Sequence, residues 1–310
     1  MDYQPLSGRE FPRFSAHKTF FRLPIANKDD DYEVAFLGIP FDGGVSYRPG
    51  TRFGPTKIRE SSSLGRGFHW GRGMQIFSRL KCADIGDCPT VPIDLLQTYG
   101  KIEQFIFDLA SKQKKFISAG GDHSITLPIL RALKKHFGTP LNFIHFDAHF
   151  DTYPAAWNCE YHHGSFLRHA IEEGLVNPSQ TLQIGVRGPL ASSSDLDFIR
   201  KNKITSYSMD DIRGDHLKVF LSKLPHFLSG PTYLSFDIDC LDPAFAPGTG
   251  TPVPGGLTTY EVQQIVRALK VSSLVGADVV EVCPAYDHSE ITSLAAVDVM
   301  FEILGLMASQ

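Results

Sequence analysis

Along the chain, short runs of apolar residues alternate with longer stretches in which apolar positions recur every three or four residues. The short, strand-like runs fall near 32–39, 81–86, 115–119, 141–147, 180–186, 204–208, 231–238 and 274–282. Helical periodicity occupies the intervals near 55–63, 94–113, 125–137, 165–174, 193–202, 215–227 and 258–270, and a last helix is predicted near 291–308. In 125–137, Ile125, Ile129, Ala132 and Leu133 follow the i, i+4, i+7, i+8 spacing of a buried helical face. Pro128 fits there because it falls in the first turn, where a missing N–H costs no helical bond. Such alternation predicts an α/β protein with a largely parallel sheet covered by helices. It leaves open whether the sheet closes into a barrel or stays open and doubly wound. In both, functional groups gather at the carboxyl ends of the strands. Residues 1–31 are polar and irregular and read as an arm lying on the single domain of 32–310 or on a neighbour.

Composition narrows the class. With 34 Asp+Glu against 30 Lys+Arg, the formal net charge is −4, so no basic surplus points to a nucleic-acid partner. Hydrophobic residues make up 42% and charged residues 21%, a globular balance. The five cysteines are odd in number and irregularly spaced, which fits reduced thiols in the cytoplasm better than a disulfide framework. The most apolar segment, 291–306, is interrupted by Asp298 and Glu302 and is too short to span a membrane.

Three segments carry candidate chemistry, each at a predicted strand end: Gly120-Gly121-Asp122-His123-Ser124, His145-Phe146-Asp147-Ala148-His149-Phe150-Asp151, and Ser235-Phe236-Asp237-Ile238-Asp239-Cys240-Leu241-Asp242-Pro243. Asp147, His149 and Asp151 share one parity, so an extended chain would project them to one side. Taken alone, D-x-H-x-D or D-x-D is an ordinary polar turn. Gathering Asp147, Asp151, Asp237 and Asp239 would cost roughly 4 kcal/mol per pair at ~4 Å and an effective dielectric of 20. Such a cluster must stay protonated or hold cations. Carboxylates with some imidazole and no required thiolate suit two divalent ions, Mn2+ rather than structural zinc.

The three segments together resemble the signature motifs of the ureohydrolases, the arginase and agmatinase family. The resemblance extends to Arg48-Pro49-Gly50-Thr51-Arg52-Phe53-Gly54-Pro55, Gly248-Thr249-Gly250-Thr251-Pro252 and Val280-Glu281-Val282-Cys283-Pro284-Ala285-Tyr286-Asp287, and so to nearly the whole of 32–308. It implies a three-layer α/β/α fold with a central eight-stranded, mostly parallel sheet. It implies two Mn2+ per subunit, one held by His123, Asp147, Asp151 and Asp237, the other by His149, Asp147, Asp237 and Asp239. Asp147 and Asp237 would bridge them, and a hydroxide held between the ions would attack a guanidinium carbon to release urea.

By the same resemblance, Asp151 orients the nucleophile, His163 shuttles protons and Glu281 accepts the guanidinium; the second reading of Glu281 is an internal salt bridge to Arg or Lys. His162 reads as a bystander and His145 as a satisfied buried histidine. Cys283 stands where most relatives carry Asn, so no polar contact of theirs is carried over to it. Asp151-Thr152-Tyr153 and Pro284-Ala285-Tyr286-Asp287-His288 look like the agmatinase branch. The leading substrate is therefore agmatine, giving putrescine, with Glu160 either the acid for its distal ammonium or a solvated loop residue. Guanidinobutyrate or guanidinopropionate is the runner-up and would want a cation at the tail, for which Arg187 is the candidate. Arginase and formimidoylglutamase activities stand behind these. A metallo-phosphoesterase is disfavoured because Glu281 would repel phosphate, and a catalytically idle member because the ligand set and His163 are intact. The resemblance also implies a homo-oligomer, a trimer or hexamer.

Overall fold

The computed structural model describes residues 2–214, 216–224 and 228–310. Its strands are β1 (Val34–Ile39), β2 (Phe68–His69), β3 (Met74–Gln75), β4 (Cys82–Asp87), β5 (Lys115–Gly120), β6 (Leu141–Phe146), β7 (Val176–Val186), β8 (Thr205–Ser208), β9 (Leu228–Asp237) and β10 (Val271–Val280). The helices are α1 (Gly54–Ser61), α2 (Leu95–Ser111), α3 (Thr126–Phe137), α4 (Phe166–Glu172), α5 (Asp195–Asn202), α6 (Met209–Gly214), α7 (His216–Lys223), α8 (Thr259–Ala268) and α9 (Ile291–Met307).

Eight strands form one open sheet in the order β4-β1-β5-β10-β9-β6-β7-β8. Every pairing in it is parallel. The alternative of a closed barrel is thereby settled in favour of the open sheet. In β1, alternate side chains serve opposite sides of the sheet. Val34 and Phe36 join one hydrophobic cluster with α8 and α9; Ala35, Leu37 and Ile39 join another with α2, α3 and α4. Burial on both faces explains why these strands read as unbroken apolar runs.

Helix boundaries follow local chemistry. Ile125, Ile129, Ala132 and Leu133 are all buried, and α3 ends on Gly138, whose φ of +70° suits glycine. At the start of α8, Thr258 and Glu261 form a reciprocal capping box. In α9, Asp298 is half-buried and accepts from Gln263 at 3.0 Å. Glu302 is buried, paired with Arg267 and, at 3.1 Å, with His69.

Three expectations change. The helix predicted over 215–227 is α7, Asp215 and residues 225–227 lying outside the described residues, and a separate α6 precedes it. The antiparallel pair β2–β3 was not predicted, since two-residue strands carry no period to read. The arm of 1–31 lies on the domain and supplies core: Phe20, Phe21 and Leu23 are buried in the same cluster as Val34 and Phe36.

Candidate metal centre and adjoining cavity

Four neighbouring strands, β5, β10, β9 and β6, direct the site from their carboxyl ends. After β5 the chain turns at Gly121, where a Cβ would sit 1.6 Å from the Phe41 carbonyl oxygen, so only glycine fits. Asp122 then accepts the backbone N–H groups of Ser124 (2.8 Å) and Gly44 (2.7 Å), fixing the His123 turn and drawing the 42–46 loop over the site. Burial, with the charge of Glu281, pushes the Asp122 carboxyl up to about 6.

Fully buried, His123 aims Nδ1 at three carboxylates: Asp237 Oδ2 at 3.1 Å, and Asp147 Oδ2 and Asp151 Oδ2 at 3.2 Å. Its Nε2 meets Ser235 Oγ at 2.8 Å, and Ser235 donates in turn to buried Asp278 at 2.6 Å. A second group forms beside the first. His149 Nδ1 lies 3.2 Å from Asp239 Oδ2 and 3.3 Å from Asp147 Oδ1. Asp147 thus gives one oxygen to each group. Asp237 contributes Oδ2 to the first, while its Oδ1 accepts the Asp239 N–H at 2.8 Å. Asp147, His149 and Asp151 do not stay on one side of an extended chain. Asp151 has φ +52°, and this turn sends it to the His123 group while His149 goes to the other.

The electrostatics of this cluster suit cations. Burial first, then the charges of Asp239 and Asp147, hold the Asp237 carboxyl well above its ordinary range, and Asp239 is also raised by burial. Asp147 is held well below its ordinary range despite burial, by His145, His123 and His149. His123 and His149 are raised against burial by these carboxylates. Carboxylate oxygens and imidazole nitrogens that converge within hydrogen-bonding distance and oppose one another's charge fit a divalent ion. Buried Cys240, beside Asp239 in sequence, has its thiol pushed up by burial and stays outside both groups.

Glu281 follows β10 with φ +64° and is buried. Its Oε1 accepts the His123 backbone N–H and the His163 Nδ1–H, each at 2.9 Å. Its ion pair among the described residues is with His163, not with an Arg or Lys. Oε2 has no protein partner among the described residues. On its other side, His163 Nε2 meets Ser46 Oγ at 2.7 Å and the Ser46 N–H at 3.2 Å. The Ser46 N–H can only donate, so this contact favours Nε2 as acceptor with the ring proton on Nδ1, while the Ser46 hydroxyl can take either role.

A cavity of about 460 Å³ adjoins the cluster, lined by His149, Asp151, Asp237 and His163 together with Ser46, Tyr153, Trp157, His162, Ala191 and Asp195. His123, Asp147, Asp239 and Glu281 are not among the lining residues, and Glu281 adjoins the cavity through its bond to His163. Two expected tail contacts are misplaced. Glu160 is exposed and outside the lining; only its carbonyl is engaged, by Ser165 and His169. Arg187 spends its guanidinium on the backbone carbonyls of Gly185, Asp239, Cys240, Leu241, Val253 and Pro254 and cannot serve as a tail cation. It clamps the loops that carry Asp239 instead. Sequence reading missed Ser46 and Asp195. Ser46 meets His163 across 117 residues, with no local pattern to mark it. Asp195 carries the milder signal of an acid in the first turn of a helix.

Comparisons with known proteins agree with this geometry. The sequence model of the arginase family matches residues 32–305. The guanidinopropionase of Pseudomonas aeruginosa is 43% identical over 307 residues, covering 98% of this chain and 96% of the relative. An agmatinase of Escherichia coli is 42% identical, with coverage of 94% and 93%. Among solved structures, proclavaminate amidino hydrolase from Streptomyces clavuligerus superposes with a TM-score of 0.88 at 40% identity, covering 96% of this chain and 99% of that one. On the fold, the ligand cluster and these matches together, the chain belongs to the arginase family, whose ureohydrolases act on guanidino compounds.

Proposed function

We propose that the chain is an agmatinase-like ureohydrolase that hydrolyses agmatine to putrescine and urea with two Mn2+ per subunit. The observation that carries the choice of substrate is the cavity wall. Asp195 is among its lining residues, and no Lys or Arg lines it among the described residues. A cationic tail matches that wall; a carboxylate tail does not.

His123, Asp147, Asp151 and Asp237 would hold one ion, and His149, Asp147, Asp237 and Asp239 the other. When bound, paired divalent ions lower the pKa of a water toward neutrality and stabilise developing negative charge. Asp151, which lines the cavity, orients the nucleophile by accepting its hydrogen bond. The free Oε2 of Glu281 accepts a guanidinium N–H, a charge-assisted bond that fixes the reacting carbon. His163 delivers a proton to the departing amine, with the Ser46 hydroxyl at the end of that path. Water adds to the guanidinium carbon, the C–N bond to the tail breaks, and urea and the amine separate.

A guanidino acid is the second reading, favoured by the 43% identical guanidinopropionase. Urea release measured across agmatine, arginine, guanidinobutyrate and guanidinopropionate separates the two. All five cysteines are free, which supports a reducing, cytoplasmic setting. No helix among the described residues is long and apolar enough to cross a membrane. Exposed Phe11, Phe14 and Leu64 would give a homo-oligomer, a trimer or hexamer, apolar side chains to cover.

A further inference from the structure

Beneath the ligand layer a row of polar residues runs across five adjacent strands in register. Ser206 of β8 pairs with Gln183 of β7, Gln183 with His145 of β6, His145 with Ser235 of β9, and Ser235 with Asp278 of β10. Gln183, His145, Ser235 and Asp278 are fully buried. Asp147 and Asp237 stand two residues beyond His145 and Ser235, so each acid rises from the same face as the row member below it.

The Gln183 end has only one consistent hydrogen-bond assignment. The Phe150 carbonyl can only accept, so the nitrogen of the Gln183 amide faces it, at 2.9 Å. Gln183 Oε1 then accepts from Ser206 Oγ at 2.8 Å. The remaining amide hydrogen points at His145 Nδ1, 3.1 Å away. Nδ1 is therefore an acceptor, the ring proton sits on Nε2, and Nε2–H donates to Asp147 Oδ2 at 2.8 Å. His145 also falls within a group of side chains able to hold a metal, with His123, Asp147 and Asp151. Its assignment rules it out as a ligand: the lone pair is committed to Gln183, and the nitrogen nearest the cluster carries hydrogen.

We propose that His145 and Gln183 are a positioning pair for the metal centre. Gln183 selects the tautomer, and His145 uses it to hold the Asp147 carboxylate in the orientation that gives one oxygen to each ligand group. The inference rests on the metal reading of the site. Partners of this kind, which orient a ligand without touching the ion, typically change metal affinity 10–100-fold.

The test is the Mn2+ dissociation constant of the metal-stripped full-length protein, read by the electron paramagnetic resonance signal of free Mn2+, with folding followed by circular dichroism. His145→Phe keeps a ring but loses the donor, and its affinity should fall by about 10–100-fold. His145→Gln places an amide N–H where Nε2 stands and should restore affinity close to wild type. Gln183→Met removes the tautomer selection and should weaken binding by less than His145→Phe. Wild-type affinity in His145→Phe, or a His145→Gln as weak as His145→Phe, overturns the proposal. Should His145→Phe fail to fold, unchanged affinity in Gln183→Met overturns it instead. A wild-type protein that bound no Mn2+ would bring down the metal reading and this inference together.

Discussion

Oε1 of Glu281 lies 2.9 Å from Nδ1 of His163, joining the acid meant for the substrate to the histidine meant for the proton. Burial works against charge on His163, but the hydrogen bond and charge of Glu281, then Asp151 and Asp122, outweigh it and push the imidazole up to about 9. A folded pKa above the ordinary 6.5 stabilises the fold fully below 6.5 and loses that contribution as pH rises through about 9. The metal-free protein should therefore lose up to roughly 3 kcal/mol of stability across this window. Glu281→Gln should flatten the decline, as read from urea unfolding at pH 6.5 and 9. Equal slopes in both proteins would contradict the coupling.

Asp147 serves both ligand groups, Oδ2 facing His123 and Oδ1 facing His149. Asp147→Asn should lose bound Mn2+ and urea release together, measured by metal analysis after gel filtration and by a urea assay. Full turnover with two ions retained would show that the acid is not a ligand.

Asp195 lines the cavity and, among the described residues, is the one acid of its lining that the proposal does not assign to the metal cluster. A hydrogen bond to a charged group contributes about 1.5–3 kcal/mol. Asp195→Asn should accordingly raise KM for agmatine by about tenfold or more with kcat little changed. An unchanged KM would remove Asp195 from the tail site.

Arg187 holds six backbone carbonyls, that of Asp239 among them. Leaving buried carbonyls without donors costs about 1–3 kcal/mol each. Arg187→Met should destabilise the protein by about 3 kcal/mol or more in urea unfolding. A change within about 0.5 kcal/mol, as for an ordinary surface substitution, would contradict the clamp.

The layered fold could be read from the chain because central strands buried on both faces give short unbroken apolar runs, while helices such as α3 that bury one face give a period of 3.6. The arm defeated that logic: Phe20 and Phe21 are core residues, yet the polar residues around them give no period. Asp147, His149 and Asp151 were legible as a cluster because acids rarely end apolar strands. Their division between two groups was not, since it depends on the backbone turn at Asp151. Glu160 drew attention by closeness in sequence to the site and Arg187 by closeness in the predicted topology. Their actual surroundings, solvent for one and loop carbonyls for the other, follow from contacts across the fold. Ser46 is the converse case, reaching His163 from a loop that Asp122 and the His163 N–H both hold at Gly44.

The most direct measurement is urea release by the purified, Mn2+-loaded protein with agmatine, arginine, guanidinobutyrate and guanidinopropionate at equal concentration. The expected result is the highest kcat/KM on agmatine, abolished when Mn2+ is stripped and regained when it is returned. A higher kcat/KM on either guanidino acid would contradict the cationic-tail assignment, and no urea from any of the four would contradict the proposed activity itself.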